Sequence, residues 1–427
     1  MRHETRVVSR RAFASGLLVM LLAAVALMSE VALAQERTAF ENVRVIAGDR
    51  GDAMTNQTVV IEGQRIVQVG ASDAIRISPA TRRVDMRGKT LMPALIDTHV
   101  HVNQPRSALE RDLRRLAYFG VGTVLSLGVD TDNAPFELRA QPVQGAARLL
   151  TAGRGITGPE PGRETAPYWV TTREEAVRAV EENAKRQVDV IKIWVDDRGG
   201  TVRKLPPPLF QAIIEAAHAR GLQVSAHVLT LEDARSLLRA DVDAFAHSVR
   251  DREIDDAFVD LLRHHHAFVL NPNLTYRGEP TDLTWLERLI PSDDFKSAQA
   301  KNAPRPEAKA SFAIQAKNLL RMRDAGARIV LGTDTSFDFP GGNAPWNAHI
   351  ELEDMVAAGL STSEAIVAAS ANAAAFLKLK DRGLIREGYE ADFLVLDGDP
   401  LENIANTRRI ADVYLGGVKV DRTRYPQ

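Results

Sequence analysis

Leu91-Met-Pro-Ala-Leu-Ile-Asp-Thr-His99-Val-His101 is an apolar run that ends in two histidines one residue apart. In a strand, residues i and i+2 point to the same face. His99 and His101 therefore aim two imidazoles at one point, as a metal site requires. A lone His-x-His often marks nothing more than the wet face of a strand. Here four more ligand-type residues recur downstream. Lys192 interrupts the apolar run Asp189-Val-Ile-Lys-Ile-Trp-Val195. His227 closes Leu222-Gln-Val-Ser-Ala-His227, and His247 closes Val242-Asp-Ala-Phe-Ala-His247. Asp334 follows Ala327-Arg-Ile-Val-Leu-Gly-Thr.

The stretches between these runs carry helical patterns, at residues 172–186, 208–220 and 231–240. Strands alternating with helices specify a parallel sheet of βαβ units. Strand starts are read near Leu91, Gly122, Ala147, Asp189, Leu222, Val242, Ala267 and Ala327. Eight such units close a (β/α)8 TIM barrel, whose active sites lie at the C-terminal ends of the strands. All six ligand-type residues fall there. The expected fold class is α/β, with the barrel over residues 91–383. Residues 38–90 and 384–427 read instead as short alternating strands with turns, Glu62-Gly-Gln among them. The two ends are expected to build one small β-sandwich domain together. Residues 277–326 make a longer strand-to-strand connection than the rest, either a lid or an extra surface helix.

The chain has 427 residues, a formal net charge of -2 and no cysteine. That balance indicates neither a nucleic-acid partner nor a polyanionic substrate. Disulfides, thiolate ligands and a cysteine nucleophile are excluded. Arg6, Arg10 and Arg11 precede an apolar stretch from Leu17 to Met28, and Ala32-Leu-Ala34 is a small-x-small cleavage pattern. Residues 1–34 thus read as a signal peptide, too short in its apolar part to span a membrane. Ser9-Arg-Arg-Ala-Phe13 resembles a twin-arginine export signal, with an ordinary secretory signal as the alternative. Either route predicts a periplasmic protein with no membrane contact once the signal is removed.

The order His-x-His, Lys, His, His, Asp along strands one, four, five, six and eight resembles the amidohydrolase superfamily of metal-dependent hydrolases. Within it, Val190-Ile-Lys-Ile-Trp and Glu390-Ala-Asp-Phe-Leu-Val-Leu396 are similar to the imidazolonepropionase-like and Xaa-Pro dipeptidase-like branch. The resemblance implies a TIM barrel with a composite terminal sandwich and two divalent metal ions. His99, His101 and Asp334 would hold one ion, and His227 and His247 the other. Lys192, carbamylated by carbon dioxide, would bridge both. The resemblance also leaves room for a homo-oligomer.

Histidine and carboxylate donors suit zinc, without excluding iron, cobalt or manganese. A protonated Lys192 beside a dication is disfavoured, so its pKa should fall and expose the amine on which a carbamate forms. The alternative is an uncarbamylated lysine in a one-metal site. A metal pair supplies hydroxide near neutral pH, with Asp334 as general base and then acid. The expected reaction is cleavage of an amide bond in a small substrate such as an N-acyl amino acid or a dipeptide. A lactonase, a carboxylesterase or a cyclic-amide hydrolase would use the same ligands, and a non-catalytic small-ligand-binding barrel is the alternative outside enzymes. Gly-x-Ser-x-Gly is absent, against an α/β-hydrolase.

Arg250 and Tyr276 follow strands six and seven closely and are candidates for binding a substrate carboxylate. The blander reading pairs Arg250 with Asp251 or Asp255 and packs Tyr276 in its loop. Trp194, Trp346 and His349 read as packing residues. His264-His-His266 lies at the end of a helix on the face opposite the site, where cations favour the helix dipole. His218 reads as a structural residue late in a helix, and Pro206-Pro-Pro208 as a helix start.

Overall fold

The computed structural model describes residues 37–49, 52–102, 105–161, 166–265, 268–274, 277–337 and 344–427. The signal peptide expected over residues 1–34 lies outside them, as does Tyr276. Among the described residues, no helix is long and apolar enough to cross a membrane.

Eight parallel strands surround the ligand-type side chains. In chain order they are Leu95–His101, Val121–Ser126, Arg148–Thr151, Ile191–Trp194, Val224–His227, Ala244–Phe245, Val269–Leu270 and Arg328–Ile329. Neighbours pair in that sequence within two sheets. Backbone hydrogen bonds join the sheets at both seams. Asp189 N donates to Thr151 O at 2.9 Å, linking strand three to strand four. Strand eight spans the other seam: Arg328–Ile329 pairs with strand seven, and its continuation Thr335–Ser336 pairs with Val100 and His101 of strand one. Between these halves the chain bends at Asp334, which adopts a φ of 54°. This left-handed region is rare for residues with a side chain, and such strain gathers at functional sites.

The opening apolar run is two strands rather than one. Thr90–Pro93 pairs with Phe393–Leu396 and with Arg44 and Val45 of the terminal sheet. Ala94 N donates to Asp392 O at 3.0 Å, and only from Leu95 does the chain enter the barrel. Both pieces are buried throughout apart from His101, so hydropathy alone shows no break between them.

The terminal sheet has eight strands drawn from both ends of the chain. The hairpin at Glu62-Gly-Gln forms as read: Glu62 faces Arg65, and Gly63 takes a φ of 55°. Phe40 lies 5.3 Å from Phe393 and 5.0 Å from Tyr414, ring to ring. Thr90–Pro93 separates the strands of Phe40 and Phe393, so a flat sheet would hold them roughly 9.5 Å apart. The sheet therefore folds over itself, helped by register shifts at Phe40/Val43 and Val43/Val45. The aromatic rings fill the enclosed space with Val59, Ile66 and Val395.

The helices start where capping chemistry directs. Arg173–Lys185 opens with a capping box between Thr172 and Glu175, and Leu231–Arg239 opens on Thr230. Pro207–His218 begins at the proline run. The first part of the long connection packs Leu283, Leu286 and Ile290 against Tyr118, Phe119 and Trp346. It is thus anchored to the flank of the barrel, while the helix Ser292–Lys301 buries no side chain.

Candidate active site

Strand geometry brings the ligand-type residues to one end of the barrel. His99 and His101 leave the same strand face, with ring centroids 5.1 Å apart and their Nε2 atoms 3.3 Å apart. Asp334 Oδ1 lies 3.2 Å from His99 Nε2 and 2.9 Å from His101 Nε2. The His247 ring is 5.2 Å from that of His99 and 4.6 Å from that of His227. One ligand atom from each of His99, His247 and Asp334 lies within 4.8 Å of the other two. Burial pushes His99, His227 and His247 toward the neutral form that a metal needs; His227 falls to about 4.

Lys192 is fully buried, and no described residue gives its Nζ a hydrogen bond. Burial pushes the ammonium down to about 7, against the opposing pull of Asp334. Two glycines make room for this strand. A Cβ on Gly128 would stand 2.8 Å from Lys192 Cγ and 2.6 Å from the Trp194 ring. A Cβ on Gly155 would stand 2.0 Å from the same ring. Trp194 is therefore packed, as expected, and its ring lies 5.2 Å from Lys192 Nζ.

A shell of polar groups that the sequence reading did not single out holds this cluster. Asp97 accepts from Thr333 Oγ1 at 2.7 Å and from the backbone N of His99 and Thr333 at 3.1 Å. Burial pushes the Asp97 carboxyl up to about 6. Asn273 Nδ2 lies 3.1 Å from Asp334 Oδ2 and 3.3 Å from His247 Nδ1. Asp196 Oδ2 lies 3.2 Å from His227 Nε2. Two of these had a legible signal. Asp196 continues the i, i+2, i+4 series from Lys192 and Trp194, and Asn273 occupies the strand-seven end that supplied no ligand.

Arg250 lies within electrostatic reach of Asp334 and Asp196. Neither acid proposed as its partner takes it: Asp255 pairs with Arg235 at 2.6 Å and Asp251 with Arg252 at 2.8 Å. Arg250 Nε is buried with no hydrogen-bond partner among the described residues. Burial lowers the guanidinium pKa, while Asp334, Glu351 and Asp196 are close enough to oppose that shift. His349 is bonded to Phe119 O at 2.9 Å and Thr407 Oγ1 at 3.0 Å, a packing role. Trp346 is buried in the flank cluster. His218 pairs with Asp243 at 2.9 Å, and His264 Nδ1 lies 2.6 Å from Asp260 O. His265 lies 3.3 Å from Asp241, and His266 lies outside the described residues.

The donors fit divalent metal. Imidazoles and a carboxylate converge, His99, His247 and Asp334 most closely, and the buried Lys192 amine beside them has no hydrogen-bond partner among the described residues. The model of the amidohydrolase family matches residues 90–420. Ochratoxinase of Aspergillus niger is 26% identical, over 87% of this chain and 84% of that protein. Imidazolonepropionase of Streptomyces griseus is 26% identical, over 79% of this chain and 85% of that one. The solved structure of a Xaa-Pro dipeptidase with bound methionine superposes with a TM-score of 0.71 at 22% identity, covering 90% of this chain and 99% of that chain. With strand order, site chemistry and family match in agreement, this chain belongs to the amidohydrolase family and is a hydrolase of carbon–nitrogen bonds.

Proposed function

We propose that this protein hydrolyses the amide bond of an N-acyl amino acid or a dipeptide, using two divalent ions, zinc foremost. The observation that carries this reading is the buried Lys192 amine, without a hydrogen-bond partner among the described residues, beside the cluster of His99, His247 and Asp334. His99, His101 and Asp334 would hold one ion and His227 and His247 the other, with Lys192 as a carbamate between them. When bound, the ions supply Lewis acidity toward the amide carbonyl and lower the pKa of water.

The chain's own residues do the rest. Asp334 takes the proton of the attacking water on a carboxylate oxygen and gives it to the departing nitrogen, as base and then acid. Arg250 binds the carboxylate of the substrate; its unpartnered Nε supports that role. Tyr276, which follows strand seven, is the second proposed carboxylate contact. The N-terminal sequence supports export to the periplasm. The amidohydrolase family match and the likeness to a Xaa-Pro dipeptidase support amide over ester chemistry.

The test is metal analysis of the purified protein, then a panel of dipeptides, N-acyl amino acids, lactones and esters, with and without chelator. Chelator-sensitive release of free amino acid supports the reading. Turnover confined to lactones or esters overturns the substrate class, and turnover indifferent to chelator overturns the metal assignment.

A further inference from the structure

His227 is held differently from His99 and His101. His99 and His101 leave Nδ1 buried with no hydrogen-bond partner among the described residues. His227 instead directs Nε2 to Asp196 Oδ2 at 3.2 Å. Asp196 is itself fixed. Arg198 donates its backbone N–H to Oδ1 at 2.9 Å and its Nη1 to Oδ2 at 3.0 Å. Arg198 takes a φ of 54°, where the chain turns into Gly199-Gly200. Arg198 is held in turn by Glu160, 3.4 Å away and 5% exposed. Asp196 is thus an inner link of a chain Glu160–Arg198–Asp196–His227 that passes through the loop after strand four.

This geometry settles where the imidazole hydrogen lies. A carboxylate paired with a guanidinium is ionised and only accepts hydrogen bonds. The hydrogen in the contact therefore sits on His227 Nε2, and a neutral ring then carries its lone pair on Nδ1. A ring bound to metal commonly donates its other N–H to such a carboxylate, which fixes both tautomer and angle.

We propose that Asp196, braced by Arg198, is the positioning residue that fixes His227 with Nδ1 free to bind the second metal. The inference rests on the two-metal reading above and names the device that builds one half of that site. Lys192 and Asp196 leave the same strand end four residues apart, so one strand would supply both the bridge and the brace.

The same carboxylate has a rival use, as an anchor for the ammonium group of a dipeptide, and the experiment separates the two. Zinc content and competitive chelator titration are measured on full-length wild type, Asp196→Ala, Asp196→Asn and Arg198→Gln. Melting of the metal-free proteins is followed in parallel. Asp196→Ala is expected to weaken one of two zinc ions by roughly 10- to 100-fold. Asp196→Asn should lose less, because its amide oxygen still accepts the Nε2 hydrogen. Arg198→Gln should fall between wild type and Asp196→Ala. Each metal-free variant should still melt cooperatively, which shows that it is folded, and the residual activity should drop in kcat with KM little changed. Two zinc ions held at wild-type affinity in Asp196→Ala would overturn the proposal. So would a defect confined to KM for substrates with a free ammonium group. If wild type takes up no metal, the two-metal reading itself fails, and that result is distinct from either of these.

Discussion

Thr333 Oγ1 donates a 2.7 Å hydrogen bond to Asp97 Oδ2, and both side chains are buried. This bond ties the strand that carries His99 and His101 to the strand that carries Asp334. The barrel therefore closes at the place where three of the six ligand-type residues meet. Asp97→Ala leaves the Thr333 hydroxyl and two backbone N–H groups without their acceptor. Urea unfolding should show a loss of about 1–3 kcal/mol, with weaker metal uptake beside it. Stability equal to wild type would show that the seam does not depend on this bond.

Gly128 is the floor under Lys192. It takes a φ of 104°, and a Cβ there would overlap Lys192 and Trp194. Gly128→Ala combines backbone strain of about 1–3 kcal/mol with displacement of the amine. The expected result is a lower melting temperature and reduced metal content together. A variant that melts lower yet binds the full complement of metal would separate the glycine's two roles and reject the second.

Arg250 gives a substrate-dependent prediction. Arg250→Met should raise KM by roughly 10- to 100-fold for substrates with a free carboxylate, since a charge-assisted hydrogen bond is worth about 1.5–3 kcal/mol. The matching amides or methyl esters should be affected far less. Equal losses for both sets would remove Arg250 from carboxylate recognition.

Lys192 links stability to pH in the metal-free protein. Its folded pKa is lowered from 10.5 to about 7. Between those values the unfolded chain binds the proton and the folded chain does not. Stability therefore rises with pH across this window, by at most about 1.4 kcal/mol per unit. The benefit is complete above the unfolded value and is lost as pH falls through it toward 7. Chelator-treated wild type should show this slope between pH 7 and 10 in urea titrations. Lys192→Met should lack it.

Much of this architecture was legible because its signals are local. An apolar run ending in histidine places both the strand and its exposed end, and three of the eight strands carry such a mark. The split between Thr90–Pro93 and Leu95–His101 was not legible, because the apolar stretch runs from Leu91 to Ile96 across it and both pieces are buried. Only their hydrogen-bond partners, Phe393–Leu396 for one and Val121–Ser126 for the other, tell them apart. The support behind Asp196 was hidden for a related reason. Glu160 and Arg198 stand 38 residues apart, and either one reads as an ordinary loop charge until the fold sets them side by side. Arg250 shows the same limit in reverse: Asp251 and Asp255 are near it in sequence, but Arg252 and Arg235 take them.

The central claim is that Lys192 completes a two-metal centre. Metal content per chain, measured on wild type and Lys192→Ala purified in parallel in bicarbonate-containing buffer, tests it most directly. The account predicts two divalent ions per wild-type chain and a collapse of that number in the variant. Two ions retained by a folded Lys192→Ala protein would contradict it.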